Sequence, residues 1–119
     1  MPIKPDNIVL NKAAVIERSL RRMKEEYAYN PGLDNYTHID AIILNIECAC
    51  QAAIDLAQHL VAVNHAGMLQ TNADSFILLK KAKIISVDIN KSMINMTVFR
   101  NIVLHEYQEV DMDILRAIV

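Results

Sequence analysis

A chain of 119 residues with only two glycines and three prolines cannot turn often. Tight turns and hairpins draw on Gly, Pro, Asn and Asp at set positions, whereas long stretches here run through Ala, Ile, Leu, Met, Lys and Glu. The scarcity of turn residues favours helices with few connections. The length allows one domain over residues 1–119 with a real core, and no second one. Hydrophobic residues make up 53% of the chain, above the usual range for a soluble domain of this size. More apolar surface is available than one small core consumes, which points to self-association.

Several classes are excluded early. Asp40, Asn45, Glu47, Gln51 and Asp55 interrupt the most apolar segment, so no run reaches the roughly 18 apolar residues that cross a bilayer. The start, MPIKPDNIV, lacks an apolar core of the kind that directs export, and a cytoplasmic chain is expected. Cys48 and Cys50 fall about 200° apart on a helix. They can neither bridge nor chelate one ion together, and buried, reduced thiols are expected. A net charge of −2 argues against coating nucleic acid by bulk electrostatics. Any RNA contact must be local.

Periodicity places the helices. Val15, Ile16, Leu20, Met23 and Tyr27 recur at spacings of three and four in a first helix from Asp6 or Asn7 to about Tyr29, ended by Pro31-Gly32. Its other side carries Glu17, Arg18, Arg21, Arg22, Lys24 and Glu25, read as a solvated face held by pairs at i,i+4. Asp34, Asn35 or Thr37 caps a second, long helix ending near Gly67, with Ile39, Ile42, Ile43, Ile46, Ala49, Ala53, Ala57 and Val61 on one broad face. Asp55 and His59, four apart, can hydrogen-bond to each other as a structural pair. Asn72-Ala73-Asp74-Ser75 reads as the cap of a short third helix from Phe76 to about Lys83. A fourth runs from Asp88 to about His105, and a short fifth, Met112 to Val119, follows Asp111. Four or five helices with short connections describe an antiparallel bundle.

The fourth helix carries the candidate chemistry. Ile89, Met93, Met96, Arg100, Val103 and Tyr107 trace one seam, and Ile94, Val98 and Ile102 a second stripe, so the helix is expected to pack in two directions. One would be its own bundle and the other a second subunit, with the seam that carries Met93 and Met96 expected to hold the dimer. An arginine among methionines is costly to bury without an anion, so Arg100 is either paired with a carboxylate or open to a phosphate. His105 follows Asn101 by four residues, within reach of an amide bond that fixes the imidazole tautomer. Arg100 and His105 stand about 140° apart on a regular helix. A dimer in which two such helices cross would bring both residue types to one cleft, beside a phosphodiester.

The run Arg100-Asn101-Ile102-Val103-Leu104-His105-Glu106-Tyr107 resembles the R-x4-H-x-Y motif of the HepT-like toxins in the HEPN superfamily. Ile46 to His59 is similar to that family's second helix, and Ala73-Asp74-Ser75-Phe76 to the start of its third, so the resemblance covers most of the chain. It implies a helical, homodimeric endoribonuclease paired with a small nucleotidyltransferase antitoxin of the MNT type. On that resemblance Arg100 would hold the scissile phosphate, His105 would act as general acid and base, Asn101 would be the polar neighbour of the arginine, and Tyr107 would accept AMP from the antitoxin. RNA supplies its own 2′-hydroxyl nucleophile, so neither metal nor cofactor is expected.

Two blander readings stand beside this one. The Arg-His-Tyr set could be a polar cluster that fixes dimer register. The chain could also be a non-catalytic helical partner that docks and regulates a nucleotidyltransferase. His38, His59 and His65 read as surface or structural residues, since no HExxH, CxxC or Gly-rich phosphate loop accompanies them.

Overall fold

The computed structural model of the chain describes residues 6–65, 67–68, 71–105 and 117–118, with only the backbone described at 72 and 101–105. These residues form four helices and no strand: α1 (Asn7–Tyr29), α2 (Tyr36–Val63), α3 (Asn72–Lys81) and α4 (Val87–His105). The expected fifth helix over Met112–Val119 lies outside the described residues, except for Ala117 and Ile118, which are helical. Among the described residues no helix is long and apolar enough to cross a membrane.

Short polar side chains start each helix by satisfying amides that have no partner within the helix. Oδ1 of Asp6 accepts from the Val9 amide at 2.8 Å. Of the three candidates for α2, Asn35 is the cap, accepting from the Thr37 amide at 3.0 Å. The cap of α3 is Thr71, one residue before the expected run, and α3 begins at Asn72. Thr71 Oγ1 accepts from the Asp74 amide while Asp74 Oδ2 accepts from the Thr71 amide, a reciprocal pair that outcompetes caps further along. Ser86 caps α4 through the Ile89 amide at 3.1 Å.

Pro31-Gly32 ends α1 as expected, and Asn30 shapes the turn by accepting from the amides of Asp34 and Asn35. Leu33, in the left-handed region at φ 52, is buried beneath it. α2 stops at Val63, short of Gly67. Gly67 has φ +143, a conformation that strains any side chain, and a Cβ there would also stand 2.8 Å from Leu78 Cδ2, so glycine is favoured.

α2 is the axis of the fold. Its 28 residues span about 42 Å at 1.5 Å per residue, close to the longest dimension of 45 Å. It packs on α1, α3 and α4, while α1 and α4 make no close backbone approach to each other. Its apolar face is buried as expected, only Ala53 being half-buried, and Cys50, Ala52, Ile54 and Leu60 are buried as well. One core cluster joins Met23 and Leu33 to Ile39, Ile42, Ile43 and Ile46 of α2; the other joins Ile54, Leu60 and Val61 to Phe76 and Leu79 of α3.

Three expectations are corrected by this packing. α1 is rolled about its axis: Ser19 and Met23 are buried, whereas Val15 and Leu20 are exposed. Asp55 and His59 do not pair with each other. Asp55 accepts from Lys12 at 3.2 Å and Gln51 at 2.8 Å, and His59 Nε2 stands 2.7 Å from Asp6 Oδ2. Their partners come mainly from α1, which lies across this part of α2. Cys48 is exposed and only Cys50 is buried, both as free thiols. The mixed-charge face of α1 does carry its local pair, Arg22 with Glu26 at 2.7 Å.

Candidate active site

The helix that bears the motif is unusual in what it buries. The most enclosed described residues of α4 are polar, Asn90 and Thr97, while Val87, Ile89 and Val98 are exposed. Thr97 Oγ1 donates to the Ile94 carbonyl at 2.7 Å. Asn90 Oδ1 is buried without a hydrogen-bond partner among the described residues. Met93 and Met96 were expected to face a second subunit, but they pack against the protein's own core, Met96 touching both clusters. They turn inward because α2 passes beneath that side of α4. The outward large apolar residues are Val87, Ile89 and Val98.

Arg100 follows Met96 by one turn, on the side of α4 that faces α2. It is half-buried, and its Nε is buried without a hydrogen-bond partner among the described residues. An enclosed guanidinium nitrogen left unbonded is costly, and the fork of donors it belongs to suits a phosphate or carboxylate. The charge is felt at Cys50 of α2. Burial pushes the Cys50 thiol up to about 11, the Arg100 charge works against that rise, and Glu47 adds to it. Arg100, Cys50 and Glu47 therefore share one electrostatic neighbourhood.

Two cavities open on this side. One of about 230 Å³ lies between α1, α2 and α4, bordered by Leu20, Met23, Ile46, Cys50, Met93 and Met96. The other, about 440 Å³, is bounded by Ile46 and Cys50 of α2, by Ser92, Asn95, Met96 and Phe99 of α4, and by Ile118. Ser92, Asn95 and Phe99 are not among the site residues expected from the sequence. Their signal was available, since Ser92, Asn95 and Phe99 stand at i, i+3 and i+7, one stripe of a helix.

α4 continues to His105, so Asn101 and His105 lie in its last turns, with their side chains outside the described residues. Tyr107 lies outside the described residues altogether. By backbone register His105 follows Val98 by two turns, on the outward stripe, and Arg100 is about 140° away from His105. Two of the other three histidines have structural partners. His38 Nδ1 stands 2.6 Å from Glu26 Oε2 and its ring stacks on Tyr29, His59 meets Asp6, and His65 is exposed in the turn after α2. Among the described residues no three His, Cys, Asp or Glu side chains converge as metal ligands.

Residues 13–119 match the family described as Ribonuclease HepT-like. The chain is similar to the mRNA nuclease HepT of Shewanella oneidensis, at 33% identity over 115 residues, covering 96% of this chain and 86% of that protein. It is also similar to the tRNA nuclease HepT of Aphanizomenon flos-aquae, at 32% identity over 66 residues, which is 56% of this chain and 45% of that one. Among solved structures, it superposes with a TM-score of 0.87 and 33% identity on a tri-AMPylated Shewanella oneidensis HEPN toxin in complex with an MNT antitoxin, covering 93% of this chain and 84% of that one.

Proposed function

This chain belongs to the HepT-like ribonuclease family, and from that premise we propose that it is a metal-independent endoribonuclease toxin whose active groups are Arg100 and His105. The observation that carries the reading is the half-buried guanidinium of Arg100, with an Nε that lacks a partner among the described residues, on the motif-bearing helix. RNA brings its own nucleophile. His105 takes the proton of a 2′-hydroxyl, O2′ bonds to phosphorus, the bond from phosphorus to O5′ breaks, and a second acid protonates O5′. The products are a 2′,3′-cyclic phosphate and a 5′-hydroxyl. Arg100 offsets the charge that builds on the phosphoryl oxygens, which is where a fixed cation lowers the barrier most. Asn101, next to the arginine, orients His105 across one helical turn.

Because Arg100 and His105 diverge around one helix, the working unit is a homodimer in which two α4 helices bring these groups together and the second His105 supplies the acid. The protein acts in the cytoplasm as one domain over residues 1–119. A nucleotidyltransferase antitoxin of the MNT type restrains it by moving AMP from ATP onto Tyr107. The Tyr107 oxygen bonds to the α-phosphorus, pyrophosphate leaves, and the phenolic proton passes to solvent. Support comes from the relatives, one of which is a tri-AMPylated toxin in complex with such an antitoxin.

The test is cleavage of messenger and transfer RNA by protein expressed without an antitoxin. Wild type should cut and leave cyclic phosphate ends in the presence of EDTA, and Arg100→Ala and His105→Ala should each lose at least about a hundredfold in rate. A folded wild type that leaves every RNA intact would instead mark a non-catalytic subunit.

A further inference from the structure

One stripe of α4 presents a hydroxyl, an amide and an aromatic ring in succession at Ser92, Asn95 and Phe99. It forms one wall of the 440 Å³ cavity, Ile46 and Cys50 of α2 form the opposite wall, and Ile118 completes the lining. Met96 belongs to the same lining and is followed one turn later by Arg100. The Arg100 charge acts on the thiol of Cys50, so the guanidinium stands near the Cys50 side of the cavity without itself lining it. The volume lies within the ordinary range for small-molecule sites, about 300–1,000 Å³.

The chemistry of this lining selects a ligand. A phenyl ring, a thioether and a thiol give a soft, polarisable surface that suits the face of a flat π-system. Ser92 and Asn95 are exposed at the rim. Between them they offer donors and an acceptor, the complement of a heteroaromatic edge. An aliphatic ligand would leave those groups unused, and free phosphate would leave the apolar wall unused. A flat ring with a polar edge, attached to a phosphate, uses the ring, the rim and Arg100 together.

We infer that this cavity is a nucleobase subsite, which deepens the ribonuclease reading and rests on it. The base beside the scissile phosphate stacks on Phe99 and Met96, its edge meets Asn95 and Ser92, and its phosphate reaches Arg100. Asn95 is then a specificity-determining residue. Phe99 supplies affinity that differs little between bases, since every base has a π-face.

The experiment follows the methionine methyl resonances of protein expressed without an antitoxin during titration with AMP, GMP, CMP and UMP. Ribose 5-phosphate and inorganic phosphate serve as controls. The Met96 methyl should shift with nucleotides, to an extent that depends on the base, and should stay in place with the two controls. Phe99→Leu keeps most of the apolar bulk that packs on the core and should weaken nucleotide binding about tenfold. Asn95→Ala, at an exposed position, should change the ranking of the four nucleotides and the base found at mapped cut sites. Equal Met96 shifts with ribose 5-phosphate and with nucleotides would overturn the subsite, as would an unchanged nucleotide ranking and cut-site pattern in Asn95→Ala. The two readings fail separately: RNA cleavage without base-dependent binding removes the subsite alone, whereas base-dependent binding by a wild type that cuts no RNA removes the ribonuclease reading and leaves a nucleotide site.

Discussion

Asp6 and His59 are 53 residues apart, yet His59 Nε2 stands 2.7 Å from Asp6 Oδ2 while Asp6 Oδ1 caps α1. One carboxylate thus fixes the start of the first helix and ties it to the last third of the second. The Val9 amide and then His59 hold its carboxyl below the ordinary 3.8. Glu26, bonded first by His38 and then by Arg22, is likewise held below 4.5.

Both folded values are depressed, so the stability these groups contribute is present above their unfolded values and is lost as pH falls through the folded ones. Thermal melts should begin to drop below about pH 4.5 and fall further below 3.8. Asp6→Asn keeps a cap oxygen without the charge, and together with Glu26→Gln it should flatten that acid limb. An equally steep limb in the double variant would assign the acid sensitivity to other groups.

The two thiols should differ sharply in reactivity. Cys48 is exposed, whereas Cys50 is buried and pushed up to about 11. The thiolate is the nucleophile, so at pH 8 iodoacetamide should label Cys48 and leave Cys50 intact until the protein unfolds. Peptide mapping reads the result. Equal labelling of both in the folded protein would show that the α2–α4 seam opens readily.

Lys83 is exposed at φ 61, in the left-handed region that glycine enters without a steric cost and other residues do not. Relief of that strain should outweigh the entropy glycine loses on folding, so Lys83→Gly is expected to raise stability by about 0.5–1 kcal/mol. Urea unfolding checks it, and a lower midpoint at unchanged slope would show that the side chain stabilises the turn between α3 and α4.

Much of this fold was legible because α2 buries nearly all of an unbroken apolar face, and period alone identifies such a helix. α4 was read less well. Its most buried described positions are Asn90 and Thr97, so hydrophobicity pointed the helix the wrong way and placed Met93 and Met96 at a subunit interface. The motif gave Arg100 and His105 by resemblance. Nothing local in the sequence tied Arg100 to Cys50, because that relation depends on how α2 and α4 pack.

Dimerisation is tested on the outward face of α4. Met96→Glu would put a charge against both core clusters and unfold the chain, so it cannot report on an interface. Val98 is 55% exposed and lies on the stripe that reaches His105 two turns later, where two copies of α4 would meet. Val98→Glu should convert the dimer to monomer in light scattering, with helical content unchanged, and RNA cleavage should fall with it. A dimer that survives Val98→Glu would place the interface on another face.

Tyr107 follows Arg100 by seven positions, and its modification should act on the arginine. An adenylyl group carries a negative phosphate, and a guanidinium that attracts RNA would pair with it. The bulk of the nucleotide would also exclude substrate, so inhibition would be both electrostatic and steric. Co-expression with an MNT-type nucleotidyltransferase should add about 329 Da for each AMP transferred and abolish RNA cleavage. Tyr107→Phe keeps the ring and removes only the acceptor oxygen, with little effect on packing. It should gain no mass, cleave RNA as wild type does, and remain toxic when the antitoxin is present. If the added mass maps instead to Tyr27, Tyr29 or Tyr36, the acceptor is misassigned and Arg100 and His105 are unaffected. If Tyr107→Phe is unmodified but still neutralised, the antitoxin restrains the toxin by binding, and AMP transfer is not the means of control.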